Sequence, residues 1–259
     1  MTATLKSHSH GQTLVLTISN PEHRNALGPE IYAAGVEALN VAEGNGDIRS
    51  VLITGEGAHF CAGGNLQRLM ANRRQPPEVQ AQSVEGLHNW IETIRAFSKP
   101  VLAAVEGSCA GAGFSLALAC DLIVAANNSV FVMAYSNIAL SPDGGGTWSL
   151  MRSMPRATAM QLLLAGDRID PQRLQALGVI NSVCPQGEAL GEALALAERL
   201  NARAPNALAS IKELANDATT TALHAQLAAE RDHFVRNLHH PNAGEGIAAF
   251  LEKRPAQYR

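Results

Sequence analysis

The chain has 259 residues, of which 46% are hydrophobic and 17% are charged, and its formal net charge is −3 at pH 7. A chain of this length and composition can bury a sizeable core without disulfides or metals, which excludes an intrinsically disordered protein. The small excess of acidic residues argues against a nucleic-acid-binding protein, because such proteins present a basic face to the phosphates.

The cysteines and the hydropathy pattern predict a cytoplasmic protein. None of the four cysteines belongs to a CxxC pair or to a zinc-ligand spacing, so we expect buried, reduced thiols and no metal. The N-terminal segment MTATLKSHSHGQ lacks the apolar core of a signal peptide. The most apolar stretch, 101–126, is interrupted by Glu106, Asp121 and several glycines, so no membrane-spanning helix is expected.

The first part of the chain alternates strands and helices. Runs of β-branched and apolar residues predict the strands, and apolar residues three and four positions apart predict the helices. Gly28 and Pro29 are a suitable N-cap and first residue for the first helix. In chain order we expect strand 13–19, helix 29–43, strand 49–54, helix 66–70, helix 83–97, strand 101–105, helix 114–119, and strands 121–126 and 130–133.

Beyond the glycine-rich segment 141–146 the sequence predicts almost only helices. One begins after Asp170 and ends at Gly178. No linker and no clean internal repeat divides the chain, so we predict an α/β core over 1–200 and a helical oligomerisation region over 201–259. The later helices are expected at 188–203, 206–218, 223–237 and 243–253.

Several common motifs are absent or incomplete. Gly111 and Gly113 could open the dinucleotide-binding G-x-G-x-x-G, but Leu116 occupies its third glycine position. The sequence contains no phosphate-binding loop and no HExxH zinc motif. GFSLA at 113–117 is one residue short of the nucleophile elbow of serine hydrolases, and no strand leads directly into Ser115, so a hydrolase is a weak alternative.

Two turns rich in Gly and Ala each follow a predicted strand and precede a predicted helix. They read HFCAGGNL at 59–66 and EGSCAGAG at 106–113. Small residues let a ligand approach the backbone closely, and a helix N-terminus offers free amides and a partial positive charge. Two such amides aimed at one point would hold an oxyanion, whereas each turn by itself also fits an ordinary tight turn.

The motifs in these turns resemble those of the enoyl-CoA hydratase/isomerase (crotonase) superfamily. The resemblance runs from about residue 13 to the C-terminus. FCAGGNL at 60–66 is similar to the family's F-x-A-G-x-D-L, EGSCAGAG at 106–113 to its second signature, and NAL at 25–27 to its N-A-L. FVMAYS at 131–136, PDGGGTW at 142–148 and FLEKR at 250–254 are similar to the ring-epoxide isomerases of the superfamily.

The resemblance implies an α/β fold built as a crotonase-like spiral of ββα turns, with C-terminal helices that assemble trimers or hexamers. The substrate would be an acyl-CoA thioester whose carbonyl oxygen accepts hydrogen bonds from the backbone amides of Gly64 and Ala112. No cofactor is expected, because coenzyme A is part of the substrate, and no nucleic-acid or membrane partner is expected. The residues implied to bind CoA are Arg24, Ala26, Leu27, Ala62, Gly63, Asn65 and Leu66, with Phe250 and Lys253 from a neighbouring subunit.

The sequence departs from the hydratases of the superfamily, which hold a water molecule between two glutamates. The first glutamate position corresponds to Ser115 and the second to Tyr135. General acid–base catalysis near neutral pH needs groups that exchange protons there, and serine and tyrosine are poorly suited to this. We therefore expect hydratase activity to be weak or absent, and we expect Ser115, Tyr135 and Trp148 to line the acyl pocket.

Asp143 is the acid that remains. In SPDGG an Asp is by itself typical of a turn, but the resemblance places it where several isomerases of the superfamily carry a catalytic acid. One carboxylate is enough to move a C=C bond, since it removes a proton at one carbon and returns it at another. We therefore predict an acyl-CoA isomerase that shifts a C=C bond or rearranges a ring epoxide, with Asp143 as acid/base.

Three alternatives stay open within the resemblance. The first is an enoyl-CoA hydratase, and the second is an enzyme in which Asp143 attacks an aryl-CoA as nucleophile, as in the dehalogenases of the superfamily. The third is a non-catalytic protein that keeps the acyl-CoA pocket.

Overall fold

The computed structural model describes residues 3–259, and this range contains eleven α-helices and two β-sheets. The strands are β1 (Thr4–His10), β2 (Thr13–Ser19), β3 (Ser50–Gly55), β4 (Val101–Val105), β5 (Ser108–Ala110), β6 (Leu122–Ala126), β7 (Val130–Val132), β8 (Arg168–Ile169) and β9 (Ser182–Cys184). The helices are α1 (Pro29–Glu43), α2 (Leu66–Asn72), α3 (Pro77–Ala96), α4 (Ala112–Ala119), α5 (Gly146–Ser153), α6 (Arg156–Ala165), α7 (Pro171–Ala176), α8 (Ala189–Asn201), α9 (Pro205–Asp217), α10 (Leu223–Leu238) and α11 (Pro241–Glu252).

The larger sheet has the order β1-β2-β3-β4-β6-β9 and the smaller one β5-β7-β8. β1 is antiparallel to β2, and the other neighbours in the larger sheet are parallel. After β3 the chain forms a parallel bridge from Cys61 to Cys109 of β5, and β5 pairs in parallel with β7. The chain thus passes repeatedly through the large sheet, the small layer and a helix, which is the predicted spiral of ββα turns.

The central strands β2, β3, β4 and β6 of the large sheet are buried on both faces. Every residue of β4 is buried, as expected for a strand that reads VLAAV. On one face α8 packs through the buried residues Ala189, Ala193 and Ala197, whose small side chains let the helix approach the sheet. Across the other face, α1 and α3 meet where Trp90 lies against Gly35, since a Cβ on this glycine would be 2.2 Å from the indole. This packing fixes α3, which forms one wall of the site described below.

The predicted elements differ from the structure mainly where they are short or polar. α3 begins at Pro77 rather than at residue 83, because its first turns lack the apolar periodicity on which the prediction relied. β1 was not expected, since its sequence TLKSHSH is mostly polar; it forms as an edge strand paired with β2. β5, β8 and β9 contain two or three residues each, too few for a recognisable pattern.

The C-terminal helices α9, α10 and α11 pack largely on one another and carry exposed apolar side chains. The assignment of 201–259 to an oligomerisation region stays a prediction, and residues 1 and 2 of the predicted core lie outside the described range. No helix between residues 3 and 259 is long and apolar enough to span a membrane. The exposed apolar side chains of these helices include Ile211, Leu223, Leu227, Phe234, Ile247, Phe250 and Leu251.

Candidate active site

A cavity of about 540 Å³ lies where the two glycine-rich turns meet α3 and the loop that follows β7. One wall of the cavity is a face of α3, whose lining residues recur every three or four positions. This face combines the apolar Val84 and Leu87 with polar side chains. The α3 residues that line the cavity are Gln80, Ser83, Val84, Leu87 and His88.

Backbone hydrogen bonds hold the two turns against each other. The amide of Cys61 donates to the carbonyl of Ser108, and the amide of Ala110 donates to the carbonyl of Cys61, both at 2.9 Å. Gly63 has φ +94°, and a Cβ there would lie 2.8 Å from the carbonyl oxygen of Ala110. The close approach of the turns therefore depends on glycine at this position.

The amides of Gly64 and Ala112 have no acceptor among the residues that the structure describes. Ala112 is the first residue of α4, so its amide is one of those that a helix leaves unpaired at its N-terminus. Both residues line the cavity. An anionic or polarised oxygen bound there would find two backbone donors and the positive end of a helix dipole.

Asp143 also lines the cavity and accepts hydrogen bonds from two hydroxyl groups. The phenol of Tyr135 donates to Oδ1 of Asp143 at 2.6 Å. The hydroxyl of Ser115 donates to the backbone carbonyl of Asp143 at 2.9 Å. Among the described residues that line the cavity, Asp143 is the only one with a carboxylate.

Two buried tyrosines face this carboxylate. Burial raises the pKa of Tyr135 above its usual value, and the charge of Asp143 and the hydrogen bond to it raise that pKa further. Burial and the charge of Asp143 likewise raise the pKa of Tyr32, which extends from α1 into the cavity wall. Both phenols therefore stay protonated at neutral pH and act as hydrogen-bond donors.

The comparisons with known proteins agree with this geometry. Residues 9–259 match the family model described as enoyl-CoA hydratase/isomerase. The chain belongs to the enoyl-CoA hydratase/isomerase family. It is 36% identical to a 1,2-epoxyphenylacetyl-CoA isomerase of Escherichia coli strain K12, with 97% of each chain covered. It is 33% identical to a 2,3-dehydroadipyl-CoA hydratase of the same strain, with 96% of this chain and 95% of the relative covered.

Solved structures of the family share the whole fold. The crystal structure of an enoyl-CoA hydratase from Polaromonas sp. JS666 superposes with a TM-score of 0.98 at 71% identity, covering 99% of this chain and all of that one. The family, the mixed α/β fold and the resemblance recognised in the two glycine-rich turns are thus confirmed. Since the relatives include both isomerases and hydratases, the family membership establishes acyl-CoA hydratase/isomerase chemistry and leaves the specific reaction to the site residues.

Most of the residues that the family resemblance implied for CoA binding form one strip along the cavity. The amide of Leu27 donates a hydrogen bond to the backbone carbonyl of Gly63 at 2.8 Å, and the amide of Ala62 donates one to the backbone carbonyl of Arg24 at 2.9 Å. Ala26 is buried behind this strip, and the Arg24 side chain is exposed. The strip residues that line the cavity are Leu27, Ala62, Gly63, Asn65 and Leu66.

Four other predicted residues lie outside the cavity lining of the described chain. Phe250 and Lys253 are exposed at the end of α11. Ser115 is fully buried behind Asp143, so its hydroxyl is not presented as a nucleophile. The ring of Trp148 contacts the guanidinium groups of Arg95 and Arg152, whose Cζ atoms lie 4.7 and 4.2 Å from the ring centroid.

Several cavity residues were not anticipated from the sequence. Tyr32 and the polar positions of α3 line the cavity. The periodicity of Val84 and Leu87 placed one face of α3 inside the protein, but it gave no sign that the polar neighbours on this face meet a cavity. Tyr32 lies on α1, for which no motif predicted a contact with the site. Within residues 3–259 no group of three or more His, Cys, Asp or Glu side chains could hold a metal ion.

Proposed function

We propose that this chain is an acyl-CoA isomerase that shifts a C=C bond, or rearranges a ring epoxide, in an enoyl- or aryl-CoA thioester. The observation that supports this most directly is that one carboxylate, that of Asp143, lines a cavity with two unpaired backbone amides. One acid/base and an oxyanion hole are the requirements of a proton shift next to a thioester.

In the proposed reaction the thioester oxygen lies between the amides of Gly64 and Ala112. The carboxylate of Asp143 removes a proton from one carbon of the acyl group, and the electron pair moves through the conjugated system to the thioester oxygen. The two amides stabilise the resulting dienolate. The acid form of Asp143 then returns the proton at another carbon. Because the proton goes back to the same molecule and no electrons are exchanged with a partner, we propose no cofactor beyond the CoA of the substrate.

Hydration is the second candidate, since several relatives are named hydratases. Against it, the hydroxyls of Ser115 and Tyr135 are both engaged with Asp143. These are the two positions where hydratases of the family would carry the glutamates that activate water. A site with one carboxylate is better suited to a proton shuttle than to the concerted activation and delivery of water.

The proposal extends to the remaining predicted contacts. CoA would lie along the strip formed by residues 24–27 and 62–66, with its nucleotide on the exposed side. Phe250 and Lys253 would reach CoA from a neighbouring subunit of a trimer, or of a hexamer built from two trimers. The exposed apolar side chains of α9–α11 support such an assembly, because a large apolar surface of this kind is typical of subunit interfaces.

Proton exchange tests this proposal. The protein is incubated in D₂O with 3-enoyl-CoA, 2-enoyl-CoA and a panel of aryl-CoA esters, and deuterium at the α and γ carbons is followed by mass spectrometry. We expect Asp143→Asn to reduce exchange by about 10²–10⁴-fold, the usual contribution of a general acid/base. The matched control is Asp167→Asn, an exposed carboxylate bonded to Gln161 on the surface, which should behave like wild type.

The other outcomes separate the alternatives. Binding of a CoA ester by Asp143→Asn, measured by calorimetry, should persist. Full exchange in this variant would refute the isomerase proposal, and accumulation of 3-hydroxyacyl-CoA by the wild type would favour hydration. A covalent ester trapped on Asp143 would indicate the nucleophilic alternative. Tight binding without turnover of any ester in the panel would indicate a non-catalytic protein.

A further inference from the structure

The two residues that occupy the hydratase glutamate positions both donate hydrogen bonds to one residue, Asp143. Tyr135 donates to a side-chain oxygen at 2.6 Å, and Ser115 donates to the backbone carbonyl at 2.9 Å. One contact therefore orients the carboxylate and the other fixes the chain that carries it. Together they surround Asp143 from α4 and from the loop after β7.

Tyr135 is itself held rigidly. Its side chain is 8% exposed, and its carbonyl accepts the amides of Ile138 and Leu140 at 3.1 and 3.0 Å. Its ring packs on Gly111, since a Cβ on this glycine would lie 3.6 Å from Cζ of the ring. Gly111 directly precedes Ala112, one of the two unpaired amides. The Tyr135 side chain thus lies between the turn that contains Ala112 and the carboxylate of Asp143.

Ser115 fits the loop closely and leaves no room for a larger side chain. A Cβ on Gly146 would lie 2.7 Å from Oγ of Ser115, and a Cβ on Gly144 would lie 3.0 Å from Cβ of Ser115. The glycines after Asp143 are therefore packed around a serine. A glutamate at this position would displace the loop that carries Asp143, so the cluster is built around a single carboxylate.

We infer that two residues position Asp143: Ser115 holds its backbone carbonyl, and Tyr135 holds its carboxylate. By engaging Oδ1, Tyr135 fixes the rotation of the carboxylate, leaves Oδ2 to carry the proton to and from the substrate, and holds that oxygen at a constant distance from the amide of Ala112. This inference depends on the proposed function for the role of Asp143, but the contacts on which it rests are independent of the acyl group. If one oriented oxygen removes the proton and returns it, both reacting carbons of the acyl group must lie within reach of that oxygen, on the same face of the substrate.

Several charged or titratable groups surround this pair on the neighbouring elements. Tyr32 faces Asp143 from α1, and the cavity also receives side chains from α2 and α3. Tyr135 is the one cavity tyrosine with a hydrogen bond to Asp143 among the described residues. The charged or titratable cavity residues other than Asp143 and Tyr135 are Tyr32, Arg68 and His88.

The test compares Tyr135→Phe with wild type. This change removes the hydroxyl and keeps the ring that packs on Gly111. We expect kcat to fall by about 10- to 100-fold, because the carboxylate loses its orientation, while KM changes less than about threefold. A change in packing that disturbs the cavity would raise KM as well, so the split between kcat and KM separates the two explanations.

The control is Tyr258→Phe, which removes a phenol that lies near Gly246 and outside the cavity lining. It should leave kcat and KM unchanged. Circular dichroism and thermal melting check that both variants fold. If Tyr135→Phe fails to fold, Ser115→Ala replaces it, because it removes the second hydroxyl bonded to Asp143; we expect a kcat loss of up to about tenfold with KM preserved.

The inference is overturned if Tyr135→Phe folds and keeps the wild-type kcat, or if Ser115→Ala used in its place keeps the wild-type kcat. Such a result leaves the proposed function intact provided that Asp143→Asn is inactive. In contrast, an active Asp143→Asn refutes the proposed function whatever Tyr135→Phe does. The two failures are therefore distinguishable in one set of assays.

Discussion

The two turns that present their amides to the cavity are held in place by different forces. Gly64 of the first turn is followed by α2, whose seven residues are all at least partly exposed. Ala112 of the second turn opens α4, whose eight residues are all buried. One of the two unpaired backbone amides thus precedes a surface helix, and the other belongs to a helix in the core.

The local sequence explains the difference. Asn65 caps the start of α2, because its Oδ1 accepts hydrogen bonds from the amides of Gln67 and Arg68 at 3.0 and 3.1 Å. Arg68 also forms an ion pair with Glu30 of α1 at 2.9 Å. An exposed short helix needs such a cap, because little apolar burial stabilises it. α4 begins after Gly111, which has no side chain that could cap it, and is stabilised by burial of AGFSLALA.

The comparison indicates that the two donors of the site respond to different perturbations. The amide of Ala112 is fixed with the core and moves only if the core repacks. The amide of Gly64 depends on a few polar contacts at the surface, and such contacts open with a smaller free-energy cost. We therefore expect the turn that contains Gly64 to adjust to the substrate more readily than the turn that contains Ala112.

The largest effect is expected where the turns touch each other, at Gly113. A Cβ there would lie 2.6 Å from the carbonyl oxygen of Cys61 and 2.8 Å from its sulfur. We expect Gly113→Ala to lower the free energy of unfolding by about 1–3 kcal/mol, as overpacking of a core does, and to impair exchange activity. Urea denaturation measures the first effect and the D₂O assay the second.

Gly191→Ala is the matched control for this substitution. Gly191 lies in α8, and a Cβ there would meet no atom within 4 Å. Replacing an open helical glycine with alanine should stabilise the protein by up to about 1 kcal/mol. If Gly113→Ala proved as benign as the control, the second turn would not be fixed by packing, and the comparison would be wrong.

A smaller effect is expected at the cap of α2. Asn65→Ala removes the acceptor for two amides and should lower the stability of this helix by about 1 kcal/mol. The backbone amides of α2 should exchange with solvent faster in this variant, and those of α4 should exchange at the wild-type rate. Asp170→Ala provides the control, since Asp170 caps the similarly short α7 outside the cavity lining. If Asn65→Ala and Asp170→Ala lost the same share of activity in the D₂O assay with substrate, the first turn would have no special role.

The smallest effect concerns pH. The hydrogen bond from Arg68 lowers the pKa of Glu30. A carboxylate whose pKa is lower in the folded protein stabilises the fold above its unfolded pKa of about 4.3, and this contribution is lost as the pH falls through the folded value. Hydrogen-exchange protection in α2, corrected for the intrinsic rate, should therefore fall on acidification by less than about threefold, as for other exposed ion pairs.

Glu30→Gln separates this contribution from those of other carboxylates. The variant should show the weaker α2 protection already at neutral pH and should lose the part of the acid response that is specific to α2. α4 should keep its protection in both proteins over the same pH range. An acid response of α2 that is the same in the variant and in wild type would assign the effect to other groups.

Strong local patterns predicted the elements that contain them. β2 and β4 occupy the predicted ranges, because β-branched residues bounded by turn residues specify a strand. α1 spans the predicted range, since Gly28 and Pro29 mark its beginning. The first turns of α3 lacked such a signal, and β5 and β8 form only because the spiral brings their partners alongside.

The candidate site divides in the same way. The two glycine-rich turns and Asp143 could be recognised because their residue types are demanded by a backbone conformation or by proton chemistry. The donation from Tyr135 to Asp143 could not be inferred, because a sequence separation of eight residues does not tell whether two side chains meet. Tyr32 and the polar face of α3 were missed because a cavity leaves no periodic trace of its own.

The sequence by itself therefore determined the repeated strand and helix pattern, the family of the chain and the single acid available at the site. These follow from local propensity and from residue chemistry, both of which are carried by short segments. Only the tertiary structure decided that the two free amides face one cavity, that Ser115 and Tyr135 both hold Asp143, and that Trp148 contacts two arginines. Those are contacts between segments distant in the chain or across a loop, and they are set by packing and topology.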